Sequence, residues 1–357
     1  MATAGAPLTA AVVGGGMGGL LSMRGLAASE RYHLVAATDL RPEVCRTLRE
    51  TFPGLRTFSR HQDMLEQCPT DVVCVSTWPP SHEQVTRDAL ALPGLRGILV
   101  EKPLGDTAAA GRRILEAVTA RGVPMVVPHG LLVRKASLEV LQRVRDGEIG
   151  ELTLVEIQCQ GWDIINAGIH WLSFFVTLTG NEPIASVLAL CDTSTRTYRD
   201  GMQVETVAVT SAQTRGGVRV VMHTGDQIPV NSAGHWTAFR LIGTRGQIEF
   251  WGWDPGYRIL NAAHPRGELV DPGDFPGTPH QRYLERLAAM IESGVYDYTI
   301  PEGSLLALEI CEAAYLSSRH RCQVTFPLAT FTPPVPSDWD PGAAYSGTGG
   351  GRDGRTL

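Results

Sequence analysis

Six residues, Gly14-Gly15-Gly16-Met17-Gly18-Gly19, constrain this 357-residue chain more than any others. They follow the apolar run 8–13, precede a stretch that reads as a helix, and put Gly14, Gly16 and Gly19 in the three glycine places of G-x-G-x-x-G. A strand there must turn tightly, pass close to a pyrophosphate and lay the next helix against the sheet, and glycine suits all three. The helix N-terminus then offers free N–H groups and a positive dipole end to phosphate. Asp39 ends the next apolar run, twenty residues after Gly19 (39 − 19 = 20), where a carboxylate binds ribose hydroxyls. An acid there repels a 2′-phosphate, so NAD is expected ahead of NADP. Arg41, separated from it only by Leu40, partly offsets that repulsion.

The surrounding pattern supports a nucleotide-binding sheet. Short apolar runs at 8–13, 33–38, 71–76, 97–101 and 124–127 alternate with amphipathic stretches such as 42–52, 82–92 and 107–121. Runs of this kind fit strands buried on both faces, and their alternation with helices gives crossover units. Residues 1–128 therefore read as an α/β domain with a doubly wound parallel sheet. Beyond them, strand-like stretches at 151–160, 184–191, 204–213, 218–223, 237–243 and 247–251 are joined by turns such as Thr214-Arg215-Gly216-Gly217. Such succession gives an open, mainly antiparallel or mixed sheet, in an α+β domain over 129–330 that ends in helices at 279–293 and 303–319. Residues 331–357, rich in Pro, Gly and small polar residues, read as a flexible tail.

Composition removes several function classes. A 43% hydrophobic share supplies two cores, and a net charge of −6 gives no general attraction to nucleic acid or an anionic membrane. Seven scattered cysteines with no C-x-x-C pair point to neither a disulfide frame nor a zinc site, so no metal is expected. The N-terminal apolar run has no basic leader and is far short of the ~18 residues of a bilayer span, so a cytoplasmic location is expected.

Three further motifs carry a family resemblance. They are Thr77-Trp78-Pro79-Pro80-Ser81-His82 after one strand, Glu101-Lys102-Pro103 after the next, and Asn166-Ala167-Gly168-Ile169-His170 downstream of Gly147-Glu148-Ile149-Gly150. With them the chain resembles, over roughly residues 8–326, the glucose-fructose oxidoreductase / inositol dehydrogenase family, Gfo/Idh/MocA. The resemblance implies a Rossmann domain joined to a substrate domain whose open sheet often forms the oligomer interface, hence a homodimer or homotetramer. It implies hydride exchange between NAD(P) and a secondary hydroxyl or ketone on a sugar, glycoside or cyclitol. Lys102 then contacts nicotinamide and substrate, and His170 exchanges the hydroxyl proton. Thr77, Pro79, His82 and Glu101 take cofactor-side positions, with Ser76 and Trp78 in the same loop.

The residues themselves agree. Ligands of open α/β sheets bind beyond the C-terminal strand ends, where Ser76, Glu101 and Lys102 fall. Oxidising a carbinol needs a base for the O–H, which suits histidine, and a cation to favour the developing alkoxide, which suits lysine. Asn166, Trp162, Asp163 and His129 are the candidate substrate-side residues. Plainer readings stand beside these: His170 as a hydrogen-bonded core residue, His82 as a helix start, His129 as a loop residue, Trp162 and Trp171 as packing.

The chain also departs from the family pattern. Asn166 and Ser173 stand where many members carry Asp. Asn166 shares a helical face with His170, so it can orient the imidazole without supplying charge. Asp163, on nearly the same helical face, lies roughly 10 Å from His170 if the helix is continuous, too far for direct contact. Arg134 is the nearest candidate for an arginine common after the sixth strand. Two other functions remain open on the sequence: transient use of tightly bound NAD for epimerisation or glycosidic cleavage, and a non-catalytic nucleotide sensor.

Overall fold

A computed structural model describes residues 6–194, 197–230 and 234–334. Nearly all of the expected tail lies outside the described residues. In the N-terminal half, β1 (Leu8–Val13), β2 (Tyr32–Thr38), β3 (Arg56–Phe58), β4 (Val72–Val75), β5 (Gly97–Val100) and β6 (Met125–Val126) form a parallel sheet of order β3-β2-β1-β4-β5-β6. Reversal of strand order beside β1 opens a crevice at the strand C-termini, where such sheets take their ligands. The helices α1 (Met17–Ala27), α2 (Pro42–Thr51), α3 (His61–Gln67), α4 (His82–Leu90) and α5 (Ala108–Arg121) supply the crossovers. Ala10, Ala11 and Val12 are completely buried, as strands covered on both faces require. The strand β3 was not among the apolar runs, because Arg-Thr-Phe at a sheet edge needs little hydrophobicity.

After α6 (Lys135–Arg145) comes the second sheet, built from β7 (Leu152–Gln160), β8 (Ile184–Asp192), β11 (Val207–Thr214), β12 (Arg219–Gly225), β13 (Thr237–Gly243), β14 (Gly246–Phe250), β15 (Tyr257–Asn261), β16 (Glu268–Val270) and β17 (Val324–Thr325). Between β8 and β11 in the chain, β9 (Thr197–Arg199) and β10 (Met202–Val204) form, among the described residues, a two-stranded antiparallel sheet of their own. The large sheet runs β16-β15-β14-β13-β7-β12-β11-β8-β17 and is mixed, since β7 pairs β12 in parallel and β13 antiparallel. One face is covered by α7 (Ile169–Leu178) and α9 (Thr299–His320), with Trp171 and Phe174 meeting Phe239 edge-on. Along β7, Val155, Ile157 and Cys159 point inward to this core. The helix α9 starts four residues before the expected 303, because Pro301 sits in its first turn, where a missing N–H has no intrahelical acceptor to lose.

One helix belongs elsewhere than its sequence neighbours. Tyr283, Leu284, Leu287 and Ala288 of α8 (Pro279–Ser293) are buried with Leu8, Val12, Met23 and Leu26 in the core of the parallel sheet. The Tyr32 hydroxyl donates to the Leu284 carbonyl at 2.7 Å. Side chains from residue 280 onward thereby reach the crevice of the first sheet.

Candidate active site

The dinucleotide berth is shaped by absent side chains. Gly14 has φ +104°, and a Cβ on it would lie 2.3 Å from the Ser76 carbonyl oxygen. A Cβ on Gly19 would lie 1.8 Å from the Gly14 oxygen, whereas one on Gly16 would meet nothing within 4 Å. The loop is thus closed against the sheet at Gly14 and Gly19 and open at Gly16, as a pyrophosphate at the head of α1 requires. Gly18 faces the Glu101 carboxyl, and Met17 and Leu40 flank the opening as exposed apolar side chains.

Asp39 is fixed on three sides. Its Oδ2 accepts from the Gly15 amide at 3.0 Å, and Arg41 donates to both oxygens through Nε at 2.9 Å and Nη2 at 3.0 Å. Burial alone would raise its pKa, but these hydrogen bonds hold the carboxyl below its ordinary value. Arg41 is therefore spent on Asp39 and is not free to face a 2′-phosphate.

Two strand-end loops are bolted together by His82. Its buried ring puts Nδ1 3.0 Å from the Pro103 oxygen and Nε2 2.9 Å from the Thr77 oxygen. The ring is turned inward, joining the loop after β4 to the loop after β5, as well as standing at the head of α4. Burial lowers its pKa. In the same loop Ser81 donates to the Thr77 hydroxyl at 2.7 Å, Pro79 is buried and Trp78 is exposed. Ser76 is buried, 3.5 Å from the Ser22 hydroxyl. Glu101 is buried too, its Oε1 2.7 Å from Nε2 of His280 on α8. Burial would raise the Glu101 carboxyl, but His280, Lys102 and His82 hold it below the ordinary value.

Lys102 reaches the second half of the molecule. Its Nζ donates to the Asn166 carbonyl at 2.9 Å. Burial lowers its pKa, against the opposing charges of Glu101, Asp200 and Asp163. The segment it meets is not the continuous helix expected. Residues Ile164–Gly168 form one π-helical turn before α7, and Asp163 is its N-cap. The Asp163 carboxylate accepts from the Asn166 amide at 2.8 Å and from Asn166 Nδ2 at 2.9 and 3.1 Å. It therefore turns back on Asn166 instead of lying along the His170 face, because a capping carboxylate satisfies an N–H that the first turn leaves open. Glu205 holds the same turn from the other side, accepting from the Ile164 amide at 2.7 Å and from the Tyr315 hydroxyl at 2.6 Å.

His170 lies on α7 between two rings, 5.4 Å from His129 and 5.2 Å from Trp253 by centroid. Its Nδ1 is buried with no hydrogen-bond partner among the described residues. Burial pushes its pKa well below the usual histidine value, reinforced by Lys102, His129 and His280. His129 is buried, with Nε2 2.8 Å from the Ser304 hydroxyl, and burial followed by the Lys102 charge pushes it down to about 3. Burial thus favours the neutral form of both rings, and the neutral form is the one in which His170 has a ring nitrogen free to accept a proton. Trp162 is half exposed, with the Arg199 guanidinium 4.6 Å over its ring. Arg134 faces Asp274 at 3.0 Å. Ser173 is buried in the core.

His280, Trp253 and Arg199 carry no motif, and the chain segments bearing them reach the cleft only through tertiary packing. Among the described residues no group of His, Cys, Asp or Glu is arranged to hold a metal, and no helix is long and apolar enough to cross a membrane.

Residues 8–129 match an oxidoreductase family with an NAD-binding Rossmann fold. The chain is 27% identical over 270 residues to the rhizopine catabolism protein MocA of Rhizobium meliloti, a match covering 70% of this chain and 81% of that protein. It is 31% identical over 123 residues to inositol 2-dehydrogenase of Acidiphilium cryptum, covering 34% of this chain and only 36% of that enzyme. An oxidoreductase from Agrobacterium radiobacter, solved with NAD+, L-tartaric acid and magnesium, superposes with a TM-score of 0.75 at 16% identity, covering 89% of this chain and 98% of the other. At that identity the likeness is one of fold.

Proposed function

From the match of residues 8–129 to an NAD-binding oxidoreductase family and the likeness to MocA, we propose that the chain is a Gfo/Idh/MocA oxidoreductase that interconverts a secondary hydroxyl and a ketone on a sugar, glycoside or cyclitol. The observation that carries this reading is the bond from Lys102 Nζ to the Asn166 carbonyl at 2.9 Å, which sets the ammonium beside the turn leading into His170. In the oxidising direction the carbinol carbon loses a hydride and its oxygen a proton. Bound NAD supplies the acceptor for that hydride. His170, whose neutral form burial favours, takes the proton on its ring. Lys102 holds the oxygen by charge and hydrogen bond, an interaction that strengthens as negative charge develops there.

The remaining residues bind and orient. The open face at Gly16 and the N-terminus of α1 receive the pyrophosphate, and Asp39 the ribose hydroxyls. With Arg41 already paired to Asp39, the adenosine side favours NAD over NADP. His82 keeps the Thr77 and Glu101 loops in register, and Asp163 fixes Asn166. Trp162 and Trp253 offer aromatic faces to the C–H surface of a ring.

The test is NADH formation at 340 nm over a panel of cyclitols, aldoses and glycosides, with the matching keto compounds and NADH for the reverse. Turnover of at least one member is expected. A panel with no turnover in either direction removes the reading.

A further inference from the structure

The hairpin of β9 and β10 stands apart from both large sheets yet spans the cleft. Its tip, Asp200-Gly201, turns with φ +48° and +79°. A Cβ on Gly201 would lie 3.2 Å from the Trp78 ring and 3.6 Å from the Pro80 ring, so the tip rests on the cofactor-side loop of the parallel-sheet half. Its root, at Glu205, is tied to Ile164 and Tyr315 in the other half.

Two charged side chains sit at this crossing. Arg199 Nη1 donates to Asp163 Oδ2 at 3.1 Å while its guanidinium carbon stands over Trp162, 4.6 Å from the ring centroid. A guanidinium held this way loses little freedom on binding a ligand, and Nη1 to Asp163 is its one side-chain hydrogen bond among the described residues. Asp200 is exposed and enters no ion pair among the described residues. It precedes Gly201 at the tip that rests on Trp78 and Pro80, and its charge is among those that favour the Lys102 ammonium.

We propose that the hairpin tip reads substrate stereochemistry, with Arg199 as donor and Asp200 as acceptor to neighbouring ring hydroxyls while Lys102 holds the reacting one. A polyol offers this pair what it needs, since each hydroxyl both donates and accepts. A site that hydrogen-bonds a hydroxyl discriminates strongly against an isomer that places it elsewhere, because its own polar groups are then left unpaired. The proposal rests on the polyol reading above and adds the residues that choose among polyols.

The experiment compares wild type with Asp200→Asn and Arg199→Gln on a set of epimeric cyclitols and aldoses at saturating NAD. For the preferred substrate KM rises about tenfold or more in each variant, kcat stays within about threefold, and the ranking of epimers flattens. NAD affinity, measured by titration without substrate, is unchanged. Polyol binding to the NAD-loaded protein, followed by tryptophan fluorescence, gives a readout independent of turnover, and weaker binding in both variants is expected. Variants that keep the wild-type KM and epimer ranking overturn the role of the tip while leaving the polyol reading intact. A wild type that neither turns over nor binds any polyol overturns both.

Discussion

Lys102 Nζ donates to the Asn166 carbonyl at 2.9 Å, so a side chain at the end of β5 is pinned to the turn from which α7 and His170 start. The bond also explains why a lysine tolerates this much burial: its proton has a carbonyl acceptor, and Glu101, Asp163 and Asp200 oppose the loss of charge. On the proposed mechanism, replacing it removes the cation beside the reacting oxygen. Lys102→Met is expected to lower kcat by about 10²–10⁴-fold, the range found for loss of a positioned acid or base group. Its NAD dissociation constant, from titration, stays near the wild-type value. A variant within tenfold of wild-type kcat takes away the role assigned to Lys102.

On the proposed reading, coenzyme choice turns on a pair of residues close in sequence. Arg41 grips Asp39 through two nitrogens, and Asp39 in turn accepts from the Gly15 amide. In Asp39→Ser the carboxylate is gone and the guanidinium is released toward the position of a 2′-phosphate. The ratio of kcat/KM for NADP over NAD is expected to rise at least about tenfold, equivalent to about 1.4 kcal/mol of differential binding. Adding Arg41→Ala to that variant cancels the gain for NADP. An unchanged ratio in Asp39→Ser places the ribose contact elsewhere.

Much of the parallel-sheet half was legible because its signals are local. The run 8–13, the glycines after it and Asp39 at the end of β2 are each fixed by what lies a few residues away. The edge strand β3 escaped notice because a solvated edge needs no apolar run. The antiparallel half was read more coarsely, and the mixed pairing of β7 with β12 is a long-range fact with no local mark. The same limit governs the cleft. Motifs point to Lys102 and His170, but His280 joins Glu101 only because α8 packs back on the first sheet. The continuous helix assumed from Asp163 to His170 gives way for a local reason: Asp163 caps a π turn through Asn166, and helical periodicity does not announce that.

The glycines of the berth separate folding from binding. Gly19→Ala drives a methyl to within 1.8 Å of the Gly14 oxygen, a backbone atom that cannot move aside without opening the turn. That variant is expected to lose stability by about 1–3 kcal/mol or to be insoluble. Gly16→Ala meets no protein atom within 4 Å, so its melting temperature stays close to wild type. Its methyl stands where the backbone must approach phosphate, and NAD affinity falls about tenfold or more. A Gly16→Ala protein that binds NAD normally moves the pyrophosphate away from this loop.

Acid sensitivity follows from the buried imidazoles. His82, His129 and His170 all have pKa values lowered in the fold, chiefly by burial. In the unfolded chain each returns to about 6.5. Between the folded and unfolded values the unfolded state binds more protons, so stability rises with pH there, is fully present above about 6.5 and is lost as pH falls. For His129 that window extends from about 6.5 down to about 3. The carboxylates Asp39 and Glu101, also lowered, contribute stability that is lost only below their own unfolded values near 4. The carboxyls of Glu205 and Glu309, raised by burial, act in the opposite sense as pH falls, so a loss of stability between pH 6.5 and 5 is the mark of the histidines. The melting temperature is expected to be level from pH 8 to 7 and to fall between 6.5 and 5. His129→Asn, which keeps a polar group near Ser304 but cannot titrate, lowers the plateau and makes the fall shallower. A wild-type melting temperature that stays level down to pH 5 contradicts the burial of neutral rings around His170.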